Sequence, residues 1–317
     1  MTRATLLIVN PQSGGGRTGK IWDAMRPAIE RALGSVDVAF TKHRGHGIEL
    51  ARAGAEEARD LIVAVGGDGT FSEVVNGVMR AGREHRERTR VGLIAQGTGG
   101  DFRRTLGLEH RLDRYLAALA SGRERKIDVG RLSYTDEAGR DAEHYFVNIL
   151  SAGMGGLVDR YVADGRVGGG ASGKTKYMVS SIRAMATMKE GHLRCQVDRS
   201  GAREDKRVRS YMIAICNGRY FGSGMNVAPM AEIDDGRFEV VNMTAPSRLA
   251  FAMTARKIYD GSHLRERGVS HFACDRIELA LENADAQERF LLDVDGEPMG
   301  GLPIAVEVVP SAVTLRA

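Results

Sequence analysis

Three glycine-rich turns and two late acidic turns hold the residue types and spacings in this chain that could do chemistry. Gly66-Gly67-Asp68-Gly69-Thr70 follows the apolar run Leu61 to Val65 and precedes the helix-like segment Phe71-Ser72-Glu73-Val74-Val75-Asn76. Strand, glycine turn and helix in that order suit phosphate, because glycine lets the backbone approach a polyphosphate and the N–H groups of a helix start donate to it. Asp68 would repel phosphate unless a divalent cation lay between them, so the stretch points to a metal–nucleotide complex. The plain alternative is a tight turn with Thr70 capping the helix. Two similar turns follow other apolar runs: Asn10-Pro11-Gln12-Ser13-Gly14-Gly15-Gly16-Arg17 and Gln96-Gly97-Thr98-Gly99-Gly100-Asp101-Phe102. Each loop glycine costs backbone entropy on ordering. Three such loops on one sheet edge are explained together by a nucleotide phosphate site, with Thr41, Glu73, Asn76 and Thr98 as further polar contacts.

Asp234-Asp235-Gly236, within Ala228 to Arg237, and Asp295-Gly296-Glu297, directly after the apolar run Phe290 to Leu292, are acidic turns. Either could be a simple hairpin or surface turn. Oxygen ligands of the first kind do suit magnesium. Gly168 to Thr175 satisfies the Walker A pattern GxxxxGK[ST], but a P-loop needs a buried strand before it, and Asp159 to Arg166 is polar and strand-poor. That stretch reads as a flexible loop ahead of a helix.

These residues need elements to position them. Apolar runs at Leu6–Val9, Val36–Phe40, Leu61–Val65 and Val91–Ala95 alternate with helical patterns near Gly19–Leu33, Ile48–Ala58 and Phe71–Ala81. The alternation predicts a parallel α/β sheet, whose ligands bind in the loops after the strands' C-terminal ends. After Lys126 the texture becomes β-rich, predicting a mostly antiparallel second domain, with the crossing near Ile127. One helix interrupts it, Lys176–Met188; its apolar residues Met178, Val179, Ile182, Met185 and Ala186 read as core rather than as a lipid groove.

The chain has 317 residues, 43% hydrophobic and 27% charged, enough for two domains. A net charge of +4 gives only mild attraction to anionic surfaces, and with 6% aromatics and no basic–aromatic interleaving, nucleic acid is not an expected partner. Cys195, Cys216 and Cys274 are odd in number and far apart, so reduced core thiols of a cytoplasmic protein are expected. No apolar run reaches membrane-spanning length; membrane contact is expected to be peripheral.

The ordered set NPxSG at Asn10, GGDGTxxEVxNG at Gly66, GTxxDF at Gly97, DxGR at Asp128, APxAxxDDG at Ala228 and DGEP at Asp295 resembles the diacylglycerol kinase catalytic family, above all its soluble bacterial lipid kinase branch. The resemblance implies an α/β fold. Its N-terminal parallel-sheet nucleotide domain, of phosphofructokinase and NAD-kinase type, would span 1–127 with a C-terminal return over about 305–317. A β-sandwich over 128–304 would carry the lipid substrate, with ATP and lipid meeting in a cleft. ATP and Mg2+ are the implied cofactors, a lipid hydroxyl at a membrane surface the implied acceptor, and sandwich edges could pair two subunits.

Nucleotide contacts implied by the resemblance fall on Asn10, Pro11, Gln12, Ser13, Gly14, Thr41, Gly66, Gly67, Asp68, Gly69, Thr70, Phe71, Ser72 and Thr98, within loops that also hold Gly97. Asp68 and Asp101 would face metal and phosphates, and Asp128 would join the ion network. Asp235 would bind magnesium with the main-chain carbonyls of Glu232 and Arg237. One carboxylate of Asp295 or Glu297 would take the hydroxyl proton, which suits a reaction dominated by positioning and charge neutralisation. One departure stands out: the family usually has Asn where this chain has Gly100, which removes an amide and loosens the third loop.

Overall fold

The computed structural model describes residues 5–136, 138–164 and 173–317. The chain separates into two compact units, Met1–Val129 with Val309–Ala317, and Gly130–Val308.

The first unit alternates strand and helix: β1 (Thr5–Val9), α1 (Arg17–Leu33), β2 (Val36–Phe40), α2 (His46–Glu56), β3 (Leu61–Gly66), α3 (Asp68–Arg80), α4 (Arg83–Arg88), β4 (Arg90–Ala95), α5 (Asp101–Thr105) and α6 (Leu112–Ala120). The chain leaves this unit along β5 (Glu124–Thr135) and returns along its last strand, Ile304–Arg316, called β18 below. The strand order is β2-β1-β3-β4-β18, parallel throughout, with Leu6 opposite Ile62, Ile62 opposite Val91 and Thr314 opposite Arg90. Every residue of β3 is buried, as a parallel strand covered by helices on both faces requires. The helix expected from Phe71 starts three residues earlier. Asp68, Gly69 and Thr70 are therefore its first turn, and Gly67 alone separates them from β3.

The second unit continues with β6 (Asp141–Phe146), β7 (Ile149–Gly153), α7 (Met154–Ala163), α8 (Gly173–Thr187), β8 (Gly191–Arg199), β9 (Ala202–Ser210), β10 (Met212–Cys216), β11 (Tyr220–Phe221), β12 (Met225–Asn226), β13 (Phe238–Met243), α9 (Arg248–Arg256), β14 (Val269–Cys274), β15 (Arg276–Leu281), β16 (Leu291–Val294) and β17 (Glu297–Gly301). Among the described residues β11 and β12 form a two-stranded ribbon, and the other strands lie in two larger antiparallel layers. One runs β14-β13-β10-β7-β16-β17; in the other, β18, β15, β8 and β9 are neighbours, β5 pairs with β18 and β6 with β5. Leu150, Ile213, Phe238, Val240 and Leu292 from the first sheet meet Leu132, Leu193, Ile277 and Val306 from the second in one core. The intervening residues Ile149, Met212, Ala214 and Val241 enter a second core against α7, α8 and α9. A sheet buried on both faces reads as an unbroken apolar run, and β10, Met-Ile-Ala-Ile-Cys, is buried at every position.

The helix α8 forms, but with a different face inward. Ser180, Ala184 and Met188 are buried, whereas Met178 is 58% and Ile182 64% exposed; of the apolar residues expected in the core, Met185 packs against it while Met178, Val179 and Ile182 face outward. Of the Walker-like stretch, Gly168 to Ser172 lie outside the described residues, and Gly173, Lys174 and Thr175 open α8. Cys195, Cys216 and Cys274 are buried and unpaired. Among the described residues no helix is long and apolar enough to cross a membrane.

In the first unit α2 and α3 pack backbone to backbone: a Cβ on Gly77 would overlap the Ile48 carbonyl oxygen and lie 2.6 Å from Ala51 Cβ. Gly77→Ala is expected to destabilise the protein by about 1–3 kcal/mol, as overpacking does, in urea unfolding. An unchanged midpoint would show that the two helices can separate freely.

Candidate functional site

The first unit brings its three glycine loops together at the C-terminal edge of the parallel sheet. A Cβ on Gly97 would lie 2.5 Å from Gly67 Cα, and one on Gly14 would lie 2.8 Å from the Gln96 carbonyl oxygen, at a φ of +63° that side chains rarely adopt. Asn10 Nδ2 donates to Thr70 Oγ1 at 3.1 Å, and its Oδ1 accepts the Gln12 N–H at 3.0 Å, which fixes Pro11, Gln12 and the buried Ser13 over α3. The first intrahelical bond of α3 runs from Phe71 N to Gly67 O, so the N–H groups of Asp68, Gly69 and Thr70 have no acceptor within the helix. Thr41 and Thr98 stand just past β2 and β4 on the same edge. Burial holds His110 below its usual pKa, and the charges of Arg103, Arg17 and Arg104 push it the same way. Edge amides and a helix start together suit phosphate.

The acids of this unit are already engaged. Asp68 accepts the N–H groups of Asp101 at 3.2 Å and Phe102 at 3.1 Å, and so caps α5 and ties the third loop to the second. Asp101 pairs with Arg104 at 2.9 Å, and Asp128 accepts the Ser311 N–H at 2.7 Å. Four residues expected among the nucleotide contacts have structural partners of their own. Glu73 accepts the Gly45 and Gly47 N–H groups at 2.7 and 2.9 Å, capping α2, and the fully buried Asn76 donates to Ser72 O. Phe71 is fully buried and stacks on Phe102 with centroids 4.9 Å apart, and Ser72 is only 4% exposed. These four build the support of the loops rather than their surface.

In the second unit Asp295-Gly296 is the two-residue loop of the β16–β17 hairpin, with Val294 opposite Glu297. Both loop residues have positive φ, 52° and 87°, the type I′ geometry that Asp-Gly favours. The turn does more than reverse the chain. Asp295 accepts three main-chain N–H groups, from Val147 at 2.9 Å and from Asn148 and Ile149 at 3.0 Å each. Both of its oxygens are spent in holding the hairpin tip to the start of β7. Glu297 is half-buried and opens β17.

Asp235 accepts from Arg237 twice, from the main-chain N–H at 3.2 Å and from Nε at 2.7 Å. Its partners in the expected ion site, the carbonyls of Glu232 and Arg237, are hard oxygen donors of the kind magnesium takes. Arg237 is half-exposed, and an exposed ion pair is worth little, so a cation could replace it at small cost. The donor set therefore fits magnesium. Among the described residues no three His, Cys, Asp or Glu side chains cluster as a ready-made metal site.

Sequence reasoning missed the supports of the hairpin. Asn148 Nδ2 donates to Tyr220 O at 2.8 Å, and Asn217 Nδ2 donates to Val147 O at 2.7 Å. Asp293 accepts the Gly296 N–H at 2.8 Å and bonds Asp159 of α7. An acid inside the apolar run Leu291-Leu292-Asp293-Val294 was the available signal. Burial, and then the neighbouring Asp159, push Asp293 well above the usual carboxylate range, and burial raises Asp159 too. The folded pair holds a proton that the unfolded chain releases above about pH 4, so the pair's contribution to stability falls as pH rises from there to its raised pKa. Relative to Asp159→Asn, the natural protein is expected to lose stability as pH rises above about pH 4 in denaturant titrations; parallel curves would show that the pair does not titrate there.

Residues 4–132 match the family model described as diacylglycerol kinase catalytic domain, and residues 148–317 the one described as YegS C-terminal NAD kinase beta sandwich-like domain. Two relatives are each named "Probable lipid kinase YegS-like". That of Yersinia enterocolitica is 25% identical over 314 residues, covering 98% of this chain and 96% of its own; that of Chromohalobacter salexigens is 27% identical over 326 residues, covering 99% and 93%. A solved structure of a diacylglycerol kinase from Bacillus anthracis str. Sterne shares the fold, with a TM-score of 0.69 and 19% identity over 99% of this chain and 96% of that one. Both halves of the chain thus find their counterparts in one kind of enzyme, and the protein belongs to the diacylglycerol kinase catalytic family, in its branch of YegS-type lipid kinases.

Proposed function

We propose that this lipid kinase transfers the γ-phosphoryl group of ATP to the hydroxyl of diacylglycerol, giving phosphatidic acid, with magnesium as cofactor, at a membrane surface reached from the cytoplasm. The observation that carries the phosphate half of this reading is the contact of Gly67 with Gly97 and of Gly14 with Gln96, which leaves a side-chain-free edge beside the α3 start. There the amides of Asp68, Gly69 and Thr70 are positioned to receive phosphate oxygens.

On the acceptor side, Glu297 is the base. Asp295 cannot take a proton without giving up amides on both oxygens, whereas Glu297 stands one residue beyond the rigid turn. The lipid hydroxyl oxygen bonds to the γ-phosphorus as the bond to the β,γ-bridging oxygen breaks, the hydroxyl proton passes to Glu297, and ADP leaves. Asp235 and the carbonyls of Glu232 and Arg237 would hold magnesium, which when bound supplies positive charge against the phosphates. Ceramide, sphingoid bases, monoacylglycerol and phosphatidylglycerol offer similar hydroxyls. Transfer of labelled phosphate from ATP to a panel of these lipids, with NAD as control, tests the reading. Transfer to NAD alone would overturn it.

Glu297→Gln is expected to lower kcat by about 10²- to 10⁴-fold with ATP binding and unfolding midpoint unchanged, as loss of a general base does. Asp295→Asn should instead lower stability by about 1–3 kcal/mol, since an amide N–H then faces main-chain N–H donors. A stable but inactive Asp295→Asn beside an active Glu297→Gln would reverse the assignment. Asp235→Ala should raise the magnesium concentration needed for half-maximal rate, read from a magnesium titration at fixed ATP; an unmoved curve would make that turn purely structural.

A further inference from the structure

The outward stripe of α8 has no place in the catalytic account. Met178 and Ile182 lie four residues apart on α8, and Leu249 (73% exposed) and Met253 (58%) lie four apart on α9; Tyr259 (59%) follows just after α9. Between these elements a cavity of about 240 Å3 opens, lined by Val158, Met185, Met212, Phe221, Phe251 and Ile258 among others. A dry apolar cavity of about 150 Å3 suffices for benzene, so this one has room for a longer stretch of hydrocarbon. Its far wall is Gly155 of α7, where an added Cβ would overlap Ser151 Oγ and lie 3.9 Å from Asp293 Oδ2, the side chain that braces the Glu297 hairpin.

Charge sets this face apart from the rest of the chain. Residues 178–189 and 245–259 contain no Asp or Glu, in a protein with 41 of them, but carry Arg183, Lys189, Arg248, Arg256 and Lys257; of these, Lys189 and Lys257 pair with Asp285 and Glu266 of neighbouring segments. Arg256 lines the cavity itself. Exposed apolar residues interleaved with cations are how a helix sits in the interface of an anionic bilayer. A water-facing helix has no use for that apolar stripe, and a stripe that paired two copies would set these basic segments against each other.

We propose that the α8–α9 face docks on a leaflet containing anionic phospholipid and that the cavity between these helices takes one acyl chain of the lipid to be phosphorylated. The acyl-chain half rests on the lipid kinase reading; the docking half does not. The test is sedimentation of the full-length protein with vesicles of phosphatidylcholine alone or mixed with phosphatidylglycerol. Binding should favour the mixed vesicles, and the double variant Ile182→Glu, Met253→Glu, both at exposed positions, should lose about tenfold or more in affinity with an unchanged thermal melt. Ala252→Trp, at a cavity-lining position, should raise KM for a long-chain diacylglycerol by about tenfold while leaving KM for a short-chain, water-dispersed one within about twofold, because only the long chain needs the cavity. Equal binding to both vesicle types, a double variant that binds as the natural protein does, or a natural dimer that the double variant splits would overturn docking. An Ala252→Trp effect that ignores chain length would overturn the acyl site. Vesicle binding through this face by a protein that phosphorylates no lipid would refute the kinase reading and leave docking supported.

Discussion

Backbone lying directly on backbone, at Gly67 against Gly97, is the contact on which the nucleotide unit depends. Neighbouring parallel strands stand about 4.8 Å apart, so the loops leaving β3 and β4 have almost no room between them. Any side chain there would push one loop off the other. Once the loops touch, Asp68 on one reaches the amides of Asp101 and Phe102 on the other, and Asn10 reaches Thr70 from the third side. The carboxylate at the centre of the most conspicuous motif thus acts first as a strut. Its position is fixed by two hydrogen bonds before any ligand arrives.

The second unit solves a different problem, holding the Asp295-Gly296 turn rigid on an edge hairpin. A two-residue loop by itself leaves the tip free to rock. Asp295 removes that freedom by collecting three amides from the entrance of β7, a strand in the middle of the same sheet. From below, Asp293 takes the Gly296 N–H and ties the hairpin to α7 through Asp159. Glu297 inherits this rigidity as the residue that directly follows the turn and opens β17. Preorganisation of this kind spares the reorganisation that a mobile acid would need at the moment of transfer.

Much of the fold was legible because its signals are local. The strand Val36–Phe40 was read at its observed ends, and the parallel sheet followed from alternation alone. What was illegible depended on partners far away in sequence. β9, Ala-Arg-Glu-Asp-Lys-Arg-Val-Arg-Ser, shows almost no apolar pattern, yet pairs with β8 along its full length as a charged edge strand. Helix α7 is disguised by Gly155 and Gly156, which serve the close approach of β16 rather than a loop. Periodicity revealed α8 but not which side faces inward, since Ser180 and Ala184 pack where Met178 and Ile182 were expected. In the site, the loops and the Asp-Gly turn were visible as strings of residues. The diversion of Glu73 to the α2 amides and the capture of three amides by Asp295 were not, because a carboxylate in a sequence does not show which donors will reach it.

The final strand gives the molecule an order of assembly. Residues 309–316 of β18 lie beside β4 and belong to the unit whose other residues are the first 129 of the chain. As the chain emerges from a ribosome, the four strands β1 to β4 can pair early, but β4 keeps a bare edge of hydrogen-bonding groups until residues 309–316 appear. About 180 residues of β-rich sequence must pass before that edge is closed, and an open parallel edge is a template for the wrong partner. The first unit can therefore reach its finished form only after the whole second unit has been made, which makes that interval, more than the native state, the moment at which its open edge is exposed to wrong pairing.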